Sequence, residues 1–119
     1  MSKRASDLLV GDMRNAVKKI DRYVKGLTFD KFANDEKTVD AVVRNLEIIG
    51  EAVSRLPPDF KKKHSEIEWG KIAGLRHRIV HEYFGVDLEI IWKIVKDELR
   101  HFLSHLSKLD APTRRRPNG

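Results

Sequence analysis

From Leu88 to Leu106 the apolar residues Leu88, Ile91, Trp92, Val95, Leu99, Phe102, Leu103 and Leu106 recur at three- and four-residue steps. That spacing puts them on one face of an α-helix. An apolar face of such length needs other helices to cover it. The rest of the chain offers them. Met13, Val17, Ile20 and Val24 share a face, which predicts a helix over Ser6–Val24 that Gly26 is placed to stop. Val39, Val42, Val43, Leu46 and Val53 define a second long helix from about Asp35 to Leu56, and Pro57-Pro58 ends it. A third runs from about Ile67 to Tyr83. The last starts behind Asp87, a suitable cap, and reaches about Leu109. A short turn of helix is expected at Thr28–Ala33 with Thr28 as its cap, and 58–66 reads as a short polar helix or loop. Nothing reads as strand. Four long helices with short connections, plus one or two short ones, predict an all-α, antiparallel bundle.

The chain has 119 residues, which predicts one domain over 1–110 followed by a basic, flexible tail at 111–119. Cysteine is absent, which excludes a disulfide scaffold and a thiolate metal site. No apolar run approaches the roughly 20 residues of a membrane span. Met1-Ser2-Lys3-Arg4 is not followed by an apolar stretch of the kind a secretion signal needs. The expectation is therefore a cytoplasmic protein with no membrane partner. The formal net charge is +6, and Arg114, Arg115 and Arg116 supply half of it. A basic balance favours a polyanion such as RNA or DNA, or an acidic protein. No helix with a basic, base-reading face stands out, so duplex DNA is the weaker of these partners.

The segment from Trp69 to Asp87 breaks its own apolar pattern. Ile72, Leu75 and Ile79 set the face of its helix, yet Arg76 and Tyr83 fall within that face. An arginine there is costly unless it is paired or wet. One reading is a buried Arg76 bonded to Glu51 or Glu47. Gly50 shares a stripe with Val43 and Leu46; a glycine inside a helix costs about 1 kcal/mol against alanine, so close approach of another helix is the simple explanation. His77 and His81 are four apart and could share a metal, but Arg78 stands where the zinc-protease pattern needs a glutamate, so no metal is expected. His101 and His105 sit on a basic, polar face and read as solvated surface. Glu82 reads as solvated. Ile90 and Ile94 fall off the main stripe of the last helix and suit an interface or an exposed surface.

Without a metal, Arg, His and Tyr together suit cleavage of an RNA phosphodiester. Histidine, with an ordinary pKa of about 6.5, can move protons near neutral pH. The arginine fork matches phosphate oxygens, and tyrosine can stack on a base or bond a phosphate. On an ideal helix, however, residue 81 lies about 140° around from Arg76. Either two subunits share one site, or the helix unwinds before Gly85.

The same residues carry a family resemblance. Arg76-x4-His81-x-Tyr83 resembles the RX4HXY motif of HepT-like HEPN toxins, with His77 where many relatives have Asn. Ile48-Ile49-Gly50-Glu51-Ala52 is similar to the family's IGEA segment, and Trp69, the run from His81 to Asp87, and Trp92 match as well. The resemblance spans about Asp7 to Leu109. It implies an up-and-down, HEPN-like helical bundle that cleaves RNA without metal or other cofactor, works as a homodimer with a composite cleft, and leaves a 2′,3′-cyclic phosphate. It implies catalytic roles for Arg76 and His81, and RNA-binding or supporting roles for His77, Tyr83 and Glu51, the last of which reads otherwise as a helix-surface acid; Arg78 reads either as a contact to RNA phosphate or as a solubilising surface charge. It also implies a nucleotidyltransferase (MNT) antitoxin partner that transfers AMP to Tyr83. The alternative is a catalytically silent HEPN module that binds a nucleotidyltransferase or a nucleotide.

Overall fold

The computed structural model describes the backbone of residues 3–84 and 87–114, and the side chains of residues 4–79 and 87–109. Helix α1 spans Lys3–Val24, α2 Phe29–Ala33, α3 Glu36–Ser54 and α4 Pro58–Lys63. They are followed by α5 at Trp69–Ala73, α6 at Leu75–Phe84, α7 at Leu88–Lys93, a π-helical turn at Ile94–Glu98, and α8 at Leu99–Arg114. No strand occurs among the described residues. The expected all-α bundle is what the chain forms.

The helix ends follow local chemistry. Gly26 adopts a φ of 77°, the left-handed value that ends α1 without steric cost. The Thr28 hydroxyl accepts from the Lys31 N–H and starts α2. The Asp35 carboxylate accepts from the Thr38 N–H and hydroxyl at 3.2 and 2.7 Å and starts α3. Those bonds hold the Asp35 carboxyl below its usual range, the Thr38 hydroxyl contributing most. Helix α3 stops at Ser54, two residues before the expected Leu56. Pro57 then caps α4, with Pro58 in its first turn, where a missing N–H costs nothing. Asp87 caps α7 through the Ile90 N–H.

Packing follows the predicted stripes. Val10, Met13, Val17, Ile20 and Val24 of α1 meet Val39, Val42, Leu46, Ile49 and Val53 of α3 in one core, closed by Leu75, Ile79, Ile91, Leu99, Phe102 and Leu106. Phe32 of α2 is fully buried and lies 5.0 Å from the Trp92 ring, which ties α2 to the last helix.

Two elements depart from expectation. The third long helix is split at Gly74, and the last carries the π-turn. The split separates α5 from α6 by one residue at φ −76°, ψ −2°, close to helical but enough to change the axis. The π-turn admits both Ile94 (1% exposed) and Val95 (3%) to the core. The surface role expected for Ile94 is therefore corrected: the wide turn brings it inward. Ile90 is half-buried and packs against the same core. Helix α8 continues past the expected Leu109 to Arg114.

Candidate active site

Helix α6 is where the candidate residues stand, and α5 sets its origin. Trp69 is buried, its indole N–H donates to the His64 carbonyl at 3.0 Å, and its ring meets Phe102 of α8 edge-on at 6.2 Å. After Gly74, Leu75 and Ile79 sink into the core at 0% and 1% exposure. They hold the inner face of α6 down.

Gly50 is the point of contact with α3. A Cβ added there would lie 3.2 Å from Arg76 Cγ and 3.5 Å from both the Ala73 carbonyl oxygen and the Arg76 backbone nitrogen. The close approach inferred from the sequence is present, and the group that approaches is Arg76 itself. It brings Glu51 within reach: Arg76 Nη1 donates to Glu51 Oε1 at 2.9 Å. The reading of a buried arginine is corrected here. The Arg76 side chain is 59% exposed and that of Glu51 51%, because the break at Gly74 turns Arg76 out to the flank of α6. An exposed pair of this kind contributes roughly 0–1 kcal/mol, so the bundle's stability does not account for Arg76.

Arg76 opens onto a groove of about 410 Å³ between α1, α3 and α6. Arg44, Glu47, Ile48, Glu51 and Arg55 of the α3 side line it, with Leu9 and Asp12 of α1 opposite. The walls carry both signs of charge. Ile48 on this wall is 37% exposed, and Leu8 of α1 is 64% exposed.

His77 is exposed. Arg78 has a partner that the sequence did not announce. Its Nη1 and Nη2 donate to Glu98 Oε1 and Oε2, both at 3.0 Å, with side chains 34% and 21% exposed. The Arg78 hydrogen bond, aided by its charge and opposed by partial burial, holds the Glu98 carboxyl below the usual range. Glu98 escaped the sequence reading because the contact joins residues twenty apart across the π-turn. The side chains of His81, Glu82 and Tyr83 lie outside the described residues. Their backbone is helical, and α6 runs unbroken from Leu75 to Phe84. The helix therefore does not unwind between Arg76 and residue 84, which leaves the two flanks of α6 distinct.

A second hollow of about 330 Å³ holds Lys71, Glu98, His101 and His105. His101 is exposed as expected, whereas His105 is half-buried and its Nδ1 has no hydrogen-bond partner. Among the described residues no group of three or more His, Asp or Glu is placed to hold a metal ion. No helix among them is long and apolar enough to cross a membrane.

Comparison with known proteins gives a consistent result. The chain is 39% identical over 107 residues to a probable ribonuclease HepT of Thermococcus cleftensis, covering 90% of this chain and 97% of that one. It is 50% identical over 76 residues to a candidate RNase of Caldanaerobacter subterraneus subsp. tengcongensis, covering 64% and 68% of the two chains. A candidate RNase of Methanocaldococcus jannaschii is 38% identical over 109 residues, 92% of this chain and 90% of that one. No solved structure matches the chain. The family described as "Ribonuclease HepT-like" matches residues 13–109, which include the whole of α3 and α6. On that match, and on relatives covered over most of their length, the chain belongs to the HepT-like ribonuclease family.

Proposed function

We propose that this protein is a metal-independent endoribonuclease of a toxin–antitoxin system, acting through an RX4HXY site made by Arg76, His81 and Tyr83. The observation that carries this reading is Arg76. It stands exposed at a groove on a helix shared with His81 and Tyr83, within a chain that belongs to a ribonuclease family.

The chemistry follows from these residue types. His81 takes the proton of a ribose 2′-OH, whose oxygen attacks the adjacent phosphorus. The bond from phosphorus to the 5′-oxygen breaks, and the same imidazole returns the proton to that leaving oxygen. The products are a 2′,3′-cyclic phosphate and a 5′-OH. Arg76 faces the negative charge that builds on the phosphorane oxygens, where a fixed two-pronged donor helps most. Glu51 holds Arg76 in place at 2.9 Å until substrate arrives. Tyr83 supports the RNA.

An unbroken α6 favours a homodimer, in which each site takes Arg76 from one copy and His81 from the other. The mixed charges of the groove and the exposed Leu8 and Ile48 suit contact with a second copy better than contact with a polyanion alone. An MNT nucleotidyltransferase antitoxin would silence the enzyme by adding AMP to Tyr83, placing bulk and negative charge where an RNA phosphate must sit.

Incubation of total RNA with the purified protein in EDTA, beside His81→Ala, tests the reading. Cleavage by the wild type alone, with cyclic phosphate ends, is expected. Equal cleavage by both proteins at matched folding would remove His81 from the mechanism.

A further inference from the structure

Helix α6 is gripped on two flanks, and the two grips differ. On an ideal helix Arg76 lies about 100° around from Leu75, towards α3, while Arg78 lies about 60° to the other side, towards the last helix. The Arg76–Glu51 contact is a single bond between half-exposed groups. The Arg78–Glu98 contact is a fork of two parallel bonds at 3.0 Å between mostly covered groups. We propose that Arg78 and Glu98 are positioning residues for RNA cleavage: their fork sets the rotation of α6, and with it where Arg76 and His81 stand. The proposal rests on the ribonuclease reading above.

Three features support it. First, α6 has ten residues, begins at the Gly74 break, and is held inward by Leu75 and Ile79, only one turn apart. Such anchors fix its depth better than its rotation. A planar fork fixes an angle as well as a distance, which a single bond does not. Second, Glu98 closes the π-turn, and turns of this kind inside α-helices are frequent at functional sites. The wide turn seats Ile94 and Val95 together in the core and leaves Glu98 opposite Arg78. Third, residue 81 follows Arg78 by three positions, a near neighbour one turn along the same helix. The lowered Glu98 pKa keeps the fork charged at neutral pH. The competing role for Arg78, direct contact with an RNA phosphate, would require it to leave Glu98.

Steady-state cleavage of a defined RNA oligonucleotide by the full chain separates the two roles. The variants are Glu98→Gln, Arg78→Lys and the exchanged pair Arg78→Glu with Glu98→Arg. A positioning fork predicts a fall in kcat of about ten- to a hundredfold for each single variant, the scale of a misplacement near 1 Å. KM should barely change, and the exchanged pair should recover most of kcat. A lower KM with unchanged kcat in Glu98→Gln would overturn the proposal, since it would mean that Arg78 had been released to bind phosphate. So would an exchanged pair no better than the single variants. NMR of the His81 ring gives an answer independent of activity, and Arg78→Lys serves if Glu98→Gln does not fold. The ring signals should move in the single variants and return in the exchanged pair, and unmoved signals would overturn the clamp even if RNA is cleaved. Loss of all RNA cleavage in the folded wild type would instead strike the ribonuclease reading.

Discussion

Gly50 allows a sharp test of how α3 meets α6. Replacing it with alanine gains about 1 kcal/mol of helix propensity at an interior position. Against that, the new Cβ would meet Arg76 Cγ at 3.2 Å, tighter than an ordinary contact, while the Ala73 and Arg76 backbone atoms at 3.5 Å are comfortable. The crowded atom belongs to a long side chain that is 59% exposed, so it can shift by a few tenths of an ångström within its rotamer well. Gly50→Ala should therefore leave stability unchanged or raise it by up to about 1 kcal/mol, a Tm gain of up to ~4 °C for a domain of this size. Gly50→Val is different. Its methyl groups reach beyond Cβ towards backbone that cannot yield, and overpacking of this kind costs about 1–3 kcal/mol. Thermal unfolding followed by circular dichroism reads both. A Gly50→Ala protein that melts as low as Gly50→Val would refute the reasoning, because it would mean that Arg76 cannot give way.

Arg76→Ala removes an exposed pair, so unfolding in urea should change by less than about 1 kcal/mol while RNA cleavage falls at least about a hundredfold; a large loss of stability would make Arg76 a structural residue. Ile94→Ala should cost about 2–5 kcal/mol, as expected for a side chain 1% exposed, and a near-zero change would restore the surface reading of that residue. Glu98 has a lowered pKa, so its contribution to stability is present at neutral pH and lost as pH falls below the ordinary glutamate value of 4.5 and through its folded value. The Tm gap between the wild type and Glu98→Gln should therefore narrow in acid, and a gap independent of pH would contradict the assignment.

What could be read from the sequence was local or periodic. Gly26 and Pro57-Pro58 mark helix ends through their backbone, and Thr28, Asp35 and Asp87 through side-chain oxygens, and each acts near where it was placed. The stripes of α1 and α3 are buried as spaced, and Gly50 pointed to a close approach because it gives up helix propensity within an apolar stripe. What escaped depends on packing between distant segments. The break at Gly74 is a small departure from helical angles, and Gly74 sits inside a convincing apolar period. The π-turn appears only when Ile94 and Val95 compete for the same core. The Arg78–Glu98 fork follows from that turn, and no spacing rule along one helix could have paired them. At the site, the sequence offered Glu51 or Glu47 as the partner of Arg76 but not the exposure of the pair, because an isolated wheel puts Arg76 on the apolar side.

The central claim is that Arg76 and His81 act on one phosphate, each supplied by a different copy of the chain. Mixing two inactive proteins, Arg76→Ala and His81→Ala, tests this directly. With free subunit exchange, about half the dimers are mixed, and each mixed dimer holds one intact site of two, so about one quarter of wild-type RNA cleavage should return. No recovery, with exchange confirmed by differently tagged subunits, would contradict a site shared between copies.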